Sequence, residues 1–382
     1  MIELLERIGY RPMFCVWELT LYCNLRCLHC GSYAGACRDD ELSLDDCKKV
    51  ADELAALGCI RVTLSGGEPT LYPHWHELGR YLSDLGIATN VLSNGWIWTQ
   101  EHVDKAKEAH LTNVGFSLDG HEEAHDKVRR EGSFRRVVKA IDLNISQGVP
   151  VAIVSHVNRL NYKQLPEFRK FLGDHGVDHW QIQLGIPSGH LSEHRDLVID
   201  PADVLWVIPQ IAELRAEEGT MPAIFPSHNI GYYGPHEAAL RGEEGMPLDV
   251  WIGCRAGCQV IGIESNGNVK GCLSLPSDRH DRDQFLEGSV TDRSLTEIWR
   301  DETKFSLNRT FDESLLGGFC AVCRYRDICR GGCAWAAYSN TENRFNNPYC
   351  FYRQAVIHNR LDLLGDDQPS AEELAAAKLA TR

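Results

Sequence analysis

The chain has 382 residues, 43% of them hydrophobic and 24% charged, with a formal net charge of −15. This is a globular composition long enough for two domains, and its acidity argues against the basic footprint of a nucleic-acid enzyme. No run of eighteen apolar residues is present to span a membrane, and the N-terminal stretch MIELLERIGYRP is too polar and charged for a signal peptide. The expected setting is therefore the cytoplasm, with no nucleic acid and no membrane among the partners.

Fifteen cysteines are many for that compartment. Disulfides are disfavoured there, so clustered cysteines point to metal. Seven precede residue 60, none lies between 60 and 253, and eight fall between 254 and 350. The chain is expected to have two blocks.

Taken in order, residues 14–21 read as a buried strand. The loop after it carries Cys23, Cys27 and Cys30, spaced C-x3-C-x2-C. Three thiols are one short of the four that a structural zinc or a fully ligated cluster needs. The open position suits a four-iron cluster that keeps one iron free, with a zinc knuckle as the alternative. Ser43, followed by Asp46, opens a helix that Gly58 closes. A strand at 60–64 ends in Ser65-Gly66-Gly67-Glu68-Pro69. A helix at 75–85 leads to a strand at 88–92 and Ser93-Asn94-Gly95. A helix at 101–109 leads to a strand at 113–118 and Asp119-Gly120. Helices at 134–147 and 164–175 alternate with strands at 150–157 and 180–186, and 201–218 is helical.

Six alternating units imply a parallel sheet, an α/β fold whose ligands bind beyond the carboxyl ends of the strands. The cysteine triad, SGGEP, SNG and SLDG all fall at those ends. Six units are too few for a closed eight-stranded barrel, so a partial (β/α)6 TIM-like barrel is expected over 1–240. Residues 219–250 are rich in Gly, Pro, His and Tyr and hold the junction. A small cysteine-rich auxiliary-cluster domain is expected over 250–355, and a helical tail over 356–382. No separate domain is expected ahead of the first strand.

The second block contains Cys254, Cys258 and Cys272, the last preceded by the hairpin signal Asn266-Gly267-Asn268. Cys320, Cys323, Cys329 and Cys333 follow at C-x2-C-x5-C-x3-C spacing, and Cys350 closes the series. Two zinc sites could also use eight thiols. Cys15, Cys47 and Cys59 read as buried small hydrophobes.

The triad, with aromatic His29 just before its third cysteine, and GGEP on the next strand resemble the signature of the radical S-adenosylmethionine (SAM) superfamily. That resemblance implies that Cys23, Cys27 and Cys30 hold a [4Fe-4S] cluster whose free iron is chelated by SAM. It implies reductive cleavage of SAM to a 5′-deoxyadenosyl radical that abstracts a hydrogen atom from the substrate, with the electron supplied by an external flavodoxin or ferredoxin. Gly66, Gly67, Glu68 and Pro69 would receive the methionine amino group, Asn94 and Ser117 would make polar contacts, and Arg129 would meet the carboxylate unless it is simply an exposed helix residue. The cysteines of the second block resemble the SPASM extension of this superfamily. By that resemblance Cys254, Cys258, Cys272 and Cys333 hold one auxiliary cluster, with Cys258 the variable member, and Cys320, Cys323, Cys329 and Cys350 hold another, making three [4Fe-4S] clusters in all. The implied function is modification of a ribosomally made peptide or protein side chain. The alternatives are an anaerobic sulfatase-maturing enzyme, which Leu273 disfavours because that group carries aspartate there, and an enzyme of a sugar or other small metabolite. A non-catalytic metal or redox scaffold would need neither GGEP nor a triad with an open position.

Overall fold

The computed structural model of the chain describes residues 9–217, 219–242, 250–275, 284–341 and 345–380. In chain order the elements begin with β1 (Phe14–Thr20), α1 (Leu44–Ala56), β2 (Arg61–Gly66), α2 (Trp75–Asp84), β3 (Ala88–Ser93), α3 (Gln100–Glu108), β4 (Asn113–Ser117), α4 (Glu122–Val128), α5 (Ser133–Ser146) and β5 (Val151–Val157). They continue with α6 (Leu165–Asp174), β6 (His179–Leu184), α7 (Val204–Ala216), β7 (Ala223–Pro226), α8 (Glu237–Arg241), β8 (Val260–Ile263), β9 (Asn268–Lys270) and β10 (Gly288–Ser289). Helices α9 (Leu295–Arg300), α10 (Ser306–Arg309), α11 (Gly318–Val322), α12 (Arg326–Cys329), α13 (Ala334–Thr341), α14 (Phe351–Ile357) and α15 (Ala371–Ala380) follow. The chain divides into two compact units. Residues 1–154, 175–178 and 255–310 form the first, and 155–174, 179–254 and 311–382 form the second.

The six strands expected from the sequence are β1 to β6, alternating with helices as anticipated. In the first unit β1 to β5 pair in sequence order, every pair parallel. Strand β3 hides one face, while β4 buries three consecutive residues and so hides both. On β3, Thr89, Val91 and Ser93 are buried while Ala88, Asn90 and Leu92 are only half-buried. The helices supply the matching apolar stripes, such as Trp75, Leu78 and Leu82 of α2. Helix α1 starts where the sequence signals it, with the Ser43 hydroxyl accepting the Asp46 N–H at 3.2 Å.

Three strands were not expected to join this sheet. β8 lies parallel to β1 on its other edge, with Phe14 opposite Val260. β9 returns antiparallel after the turn at Gly267, whose φ of +89° suits glycine, and β10 pairs with β9. The first unit's sheet therefore runs β10-β9-β8-β1-β2-β3-β4-β5. A line of charges seals the join. Fully buried Lys270 meets Glu264 at 3.1 Å, Glu264 faces Arg38 at 3.7 Å, and Arg38 reaches Glu18 at 3.0 Å. The backbone N–H and hydroxyl of Ser265 both donate to Glu18. Two carboxylates and two cations alternate, so each buried charge faces its opposite.

In the second unit β6 pairs parallel with β7, with His179 opposite Ala223. Buried Arg169 on α6 donates to the carbonyls of Leu214 and Thr220 and to the Glu217 carboxylate, tying α6 to the end of α7. The terminal helix is anchored rather than trailing. Glu373 of α15 is fully buried and accepts from the Arg324 N–H at 2.9 Å and the Tyr352 hydroxyl at 3.1 Å. Its other oxygen accepts the Ser370 N–H, and the Ser370 hydroxyl accepts the Glu373 N–H, a capping box.

Removing one member of a buried charge line leaves its partner uncompensated. Lys270→Met is expected to cost about 3–5 kcal/mol in urea unfolding, and adding Glu264→Leu to recover part of that loss. An unchanged unfolding midpoint for Lys270→Met would show that the line carries no stability.

Candidate functional site

The triad loop leaves the carboxyl end of β1 and is held on two sides by backbone. The Gly67 N–H donates to the Thr20 carbonyl and the Glu68 N–H to the Tyr22 carbonyl, both at 2.8 Å. On the other side the Gly35 N–H donates to the Leu21 carbonyl at 2.9 Å. Side chains complete the clamp. One Glu41 oxygen accepts from the Thr20 hydroxyl and the N–H groups of Leu21 and Arg38. The Arg26 guanidinium donates to the carbonyls of Cys23, Leu25 and Ala34. Close approach explains the two glycines of GGEP. A Cβ on Gly67 would stand under 3.0 Å from the Tyr22 oxygen, and one on Gly66, whose φ is +136°, equally close to the Thr20 oxygen.

Glu68 does not point outward. It is fully buried, and one oxygen accepts from the Thr70 hydroxyl (2.6 Å), the Thr70 N–H (3.2 Å) and the Ser93 hydroxyl (2.9 Å), while the other accepts the Asn94 N–H (2.7 Å). Burial pushes its pKa up against these bonds. The carboxylate thus joins the ends of β2 and β3, and Pro69 starts the single turn Pro69–Leu71 that follows. Asn94, so placed, donates to the Asn24 side chain at 2.8 Å and to the Cys23 sulfur at 3.8 Å. Ser117 sits half-buried at the carboxyl end of β4.

The three thiols lie within each other's electrostatic reach. Burial pushes the Cys27 thiol up to about 12; the charge of Arg129 opposes the rise, and Cys30 and Cys23 add to it. Cys23 is raised too, by burial first, with Glu68 and Cys30 contributing. N–H donors already face the sulfurs, from Leu25 to Cys23 at 3.5 Å and from Ala34 to Cys30 at 3.4 Å. Such donors stabilise thiolate ligands and tune a cluster's potential.

Arg129 is neither an exposed helix residue nor unpaired. Its Nε donates to Asp119 at 2.5 Å, and the same Asp119 oxygen meets Nε2 of His29 at 3.1 Å. Burial would raise Asp119, but Arg129 and His29 hold it well below the usual carboxylate range. The Asp119 N–H donates to Nδ1 of His125 at 3.1 Å, and burial lowers His125 to about 4. His29 thus fills its slot beside the triad as an Asp119 partner. The role of Asp119 and His125 was missed in the sequence, where Asp119 reads as part of a turn. The available signal was Asp, His and Arg within eleven residues at a strand's carboxyl end.

In the second unit, Cys320, Cys323, Cys329 and Cys350 line one cavity with Tyr232, Tyr233, Tyr325 and Tyr352 among its walls. Cys350 caps α14, its sulfur accepting the Arg353 N–H. Burial pushes Cys350 up to about 12 and raises Cys320, Cys323 and Cys329 as well. Gly331 and Gly332, both at φ +79°, turn the chain between Cys329 and Cys333. Tyr233 stacks on Tyr325 with centroids 3.8 Å apart. A lining of four thiols without a carboxylate or imidazole fits an iron–sulfur cluster ligated by four cysteines.

The other expected ligands fall in separate units. Cys258 and Cys272 belong to the first, Cys254 and Cys333 to the second. The Cys333 N–H donates to the Tyr232 hydroxyl at 3.0 Å. Cys15, Cys47 and Cys59 are buried as expected of small hydrophobes.

A parallel βα sheet with a thiol triad clamped at its carboxyl edge defines an iron–sulfur enzyme class, and the comparisons agree. Residues 17–172 match the radical SAM superfamily and residues 254–324 the iron-sulfur cluster-binding domain SPASM. The chain belongs to the radical SAM superfamily, carries a SPASM domain, and is an enzyme that uses SAM and iron–sulfur clusters. It is 32% identical over 346 residues to the mycofactocin maturase MftC of Mycolicibacterium smegmatis, covering 88% of this chain and 82% of that one. It is 29% identical over 355 residues to the AdoMet-dependent heme synthase of Methanosarcina barkeri, covering 90% and 97%. Two solved structures share the fold. Streptococcus suis SuiB bound to S-adenosylmethionine has a TM-score of 0.70 at 18% identity, covering 91% of this chain and 78% of that one. Native anSMEcpe with bound AdoMet has a TM-score of 0.67 at 18% identity, covering 94% and 100%. Among the described residues no helix is long and apolar enough to cross a membrane.

The His125 bond sets a pH dependence. Nδ1 accepts a proton-bearing N–H, so the folded state holds this imidazole neutral, while in the unfolded chain it titrates near 6.5. As pH falls below 6.5 the unfolded state takes up a proton that the folded state refuses, and stability declines until the folded pKa of about 4. Asp119, whose folded pKa is depressed, adds to this decline in the same sense, but only below about pH 4, where the unfolded carboxylate takes up its proton. Between pH 7 and 5 the His125 share is about 2 kcal/mol. Anaerobic urea unfolding at both pH values should show His125→Gln losing less stability on acidification than wild type; equal losses would remove His125 from the account.

Proposed function

We propose that this radical SAM enzyme modifies a ribosomally made peptide or a protein side chain, in the cytoplasm. The observation that carries the reading is the 32% identity, over 88% of the chain, to a protein named as a maturase. In this reading residues 1–240 form the catalytic barrel, 250–355 the auxiliary-cluster domain and 356–382 the tail. Cys23, Cys27 and Cys30 hold the SAM-binding cluster. Cys320, Cys323, Cys329 and Cys350 hold an auxiliary cluster, supported by their common cavity. The assignment of Cys254, Cys258, Cys272 and Cys333 to a third cluster rests on the sequence pattern.

When bound, the cluster and SAM supply the reductive chemistry that removes a hydrogen atom from the substrate. The chain's own residues position and insulate. Gly66, Gly67, Glu68 and Pro69 shape the backbone edge that receives the methionine amino group, with the buried Glu68 carboxylate fixing that edge from behind. Asn94 and Ser117 offer polar contacts at the ends of β3 and β4. Arg129, held by Asp119, sets a cation beside Cys27. There it offsets thiolate charge, and it is the residue that would meet the SAM carboxylate.

A small-metabolite substrate is the second reading, favoured by 29% identity to a heme synthase whose length the chain covers to 97%. A sulfatase-maturing role is less favoured. Leu273 occupies the position next to Cys272, and its side chain packs so closely on Gly262 that a Cβ there would lie 2.8 Å away.

Anaerobic reconstitution is expected to give about twelve irons per chain, four for each of three clusters; stoichiometric zinc without broad visible absorption would refute the cluster assignment. Incubation with SAM, dithionite and candidate precursor peptides is expected to yield 5′-deoxyadenosine together with a mass change on one peptide. Turnover of an iron-porphyrin precursor with every peptide unaltered would instead establish the second reading.

A further inference from the structure

On the reading that the triad holds a cluster, we propose that the exposed surface formed by Trp96, Arg130 and Arg136 is where an acidic one-electron carrier protein docks and delivers its electron. Both guanidiniums pack on the one indole, with Cζ 4.2 Å (Arg130) and 4.1 Å (Arg136) from the ring centroid. Both arginines are exposed and Trp96 is half-buried. Their neighbours Arg129 and Arg135 are paired with Asp119 and Glu122, but among the described residues neither Arg130 nor Arg136 has a carboxylate partner. Holding two unneutralised cations on one ring costs electrostatic energy that an incoming acidic surface relieves.

The wider patch has the same sign. Residues 126–139 carry six cations against two carboxylates, in a chain whose net charge is −15; Arg129 is paired with buried Asp119 and Arg135 with Glu122, which leaves Lys127, Arg130, Arg136 and Lys139. One of those carboxylates, Asp126, is spent inside the chain, accepting from the Gly132 N–H, the Ser133 hydroxyl and the Phe134 N–H. Lys127 and Lys139 add exposed charge. A basic island on an acidic protein steers an acidic partner to one place.

That place is short-wired to the triad. The backbone N–H of Trp96 donates to Oδ1 of Asn94 at 2.9 Å, and Nδ2 of the same side chain donates to the Cys23 sulfur at 3.8 Å. From the Trp96 ring the path therefore runs through the residue's own bonds to its backbone, then through one side chain and two hydrogen bonds to a cluster ligand. The Arg136 guanidinium also donates to the Trp96 carbonyl at 3.1 Å, fixing the start of this path. In the step itself the carrier is oxidised by one electron and the cluster reduced by one. No atom or proton is transferred.

The probe is reduced flavodoxin, compared with dithionite, a small reductant that needs no docking. For wild type, calorimetric binding of oxidised flavodoxin to the reconstituted enzyme should weaken as salt rises from about 50 to about 200 mM. Arg130→Glu/Arg136→Glu should weaken binding about tenfold or more and slow flavodoxin-driven SAM cleavage by a similar factor. Dithionite-driven cleavage should be unchanged, and Arg130→Lys/Arg136→Lys should retain much of the binding. Unaltered flavodoxin affinity in the charge-reversed variant overturns the proposal. So does a variant that binds flavodoxin normally but no longer processes an acidic peptide, since the patch would then serve the substrate. Wild type that fails to cleave SAM with dithionite would refute the cluster reading itself, a result separate from either.

Discussion

The structure depends most on the short backbone ladder between residues 66–68 and residues 20–22. Two N–H to carbonyl bonds of 2.8 Å lock the end of β2 onto the chain that is about to become the triad loop. The approach is so close that only glycine fits at 66 and 67. Without that contact the loop would be a surface excursion with no fixed direction. With it, Cys23 follows one residue after a hydrogen-bonded Tyr22 carbonyl. Glu68, the next residue along, carries the constraint to β3 through Ser93 and Asn94, and Asn94 returns it to the Cys23 sulfur. A circuit of one glycine pair, one buried carboxylate and one amide thus sets the geometry at the sheet's carboxyl edge.

The thiols make the opposite demand. Burying several of them together raises their pKa values, because desolvation and mutual repulsion both disfavour thiolates. Metal binding requires the deprotonated form. A site that is unfavourable for bare thiolates and favourable for a cationic core therefore selects for the core. The two centres meet this differently. The triad has a cation, Arg129, fixed by Asp119 beside it, and N–H donors aimed at sulfur. The second set has aromatic walls and a terminal helix locked by buried Glu373.

The same fold carries different chemistries in this superfamily, so the class of enzyme follows from the fold and site while the substrate does not. Relatives of near-equal similarity bear names as unlike as maturase and heme synthase. What distinguishes them must lie in side chains that meet the substrate, not in the clamp, which serves the shared first step.

Strand and helix positions were legible because they are local. Alternation along β3, the Ser43 cap and the Gly58 stop are written within a few residues of where they act. The cysteine spacings were legible for the same reason, since short loops leave three thiols few directions to face. The parallel pairing of β8 with β1 was not legible, because it joins residues about 246 apart and no local pattern names a partner. Nor was the inward turn of Glu68. GGEP read as a ligand contact, and only the placement of Thr70, Ser93 and Asn94 shows both oxygens of its carboxylate hydrogen-bonded within the chain. Asp119 read as part of a turn, and Arg129 as a contact to the SAM carboxylate or an exposed helix residue, until the fold joined them with His29 and His125. The sequence alone determined which elements form and which residues can bind metal, through periodicity and donor chemistry. Only tertiary structure decided which polar groups face one another, because burial and charge pairing are properties of neighbours in space.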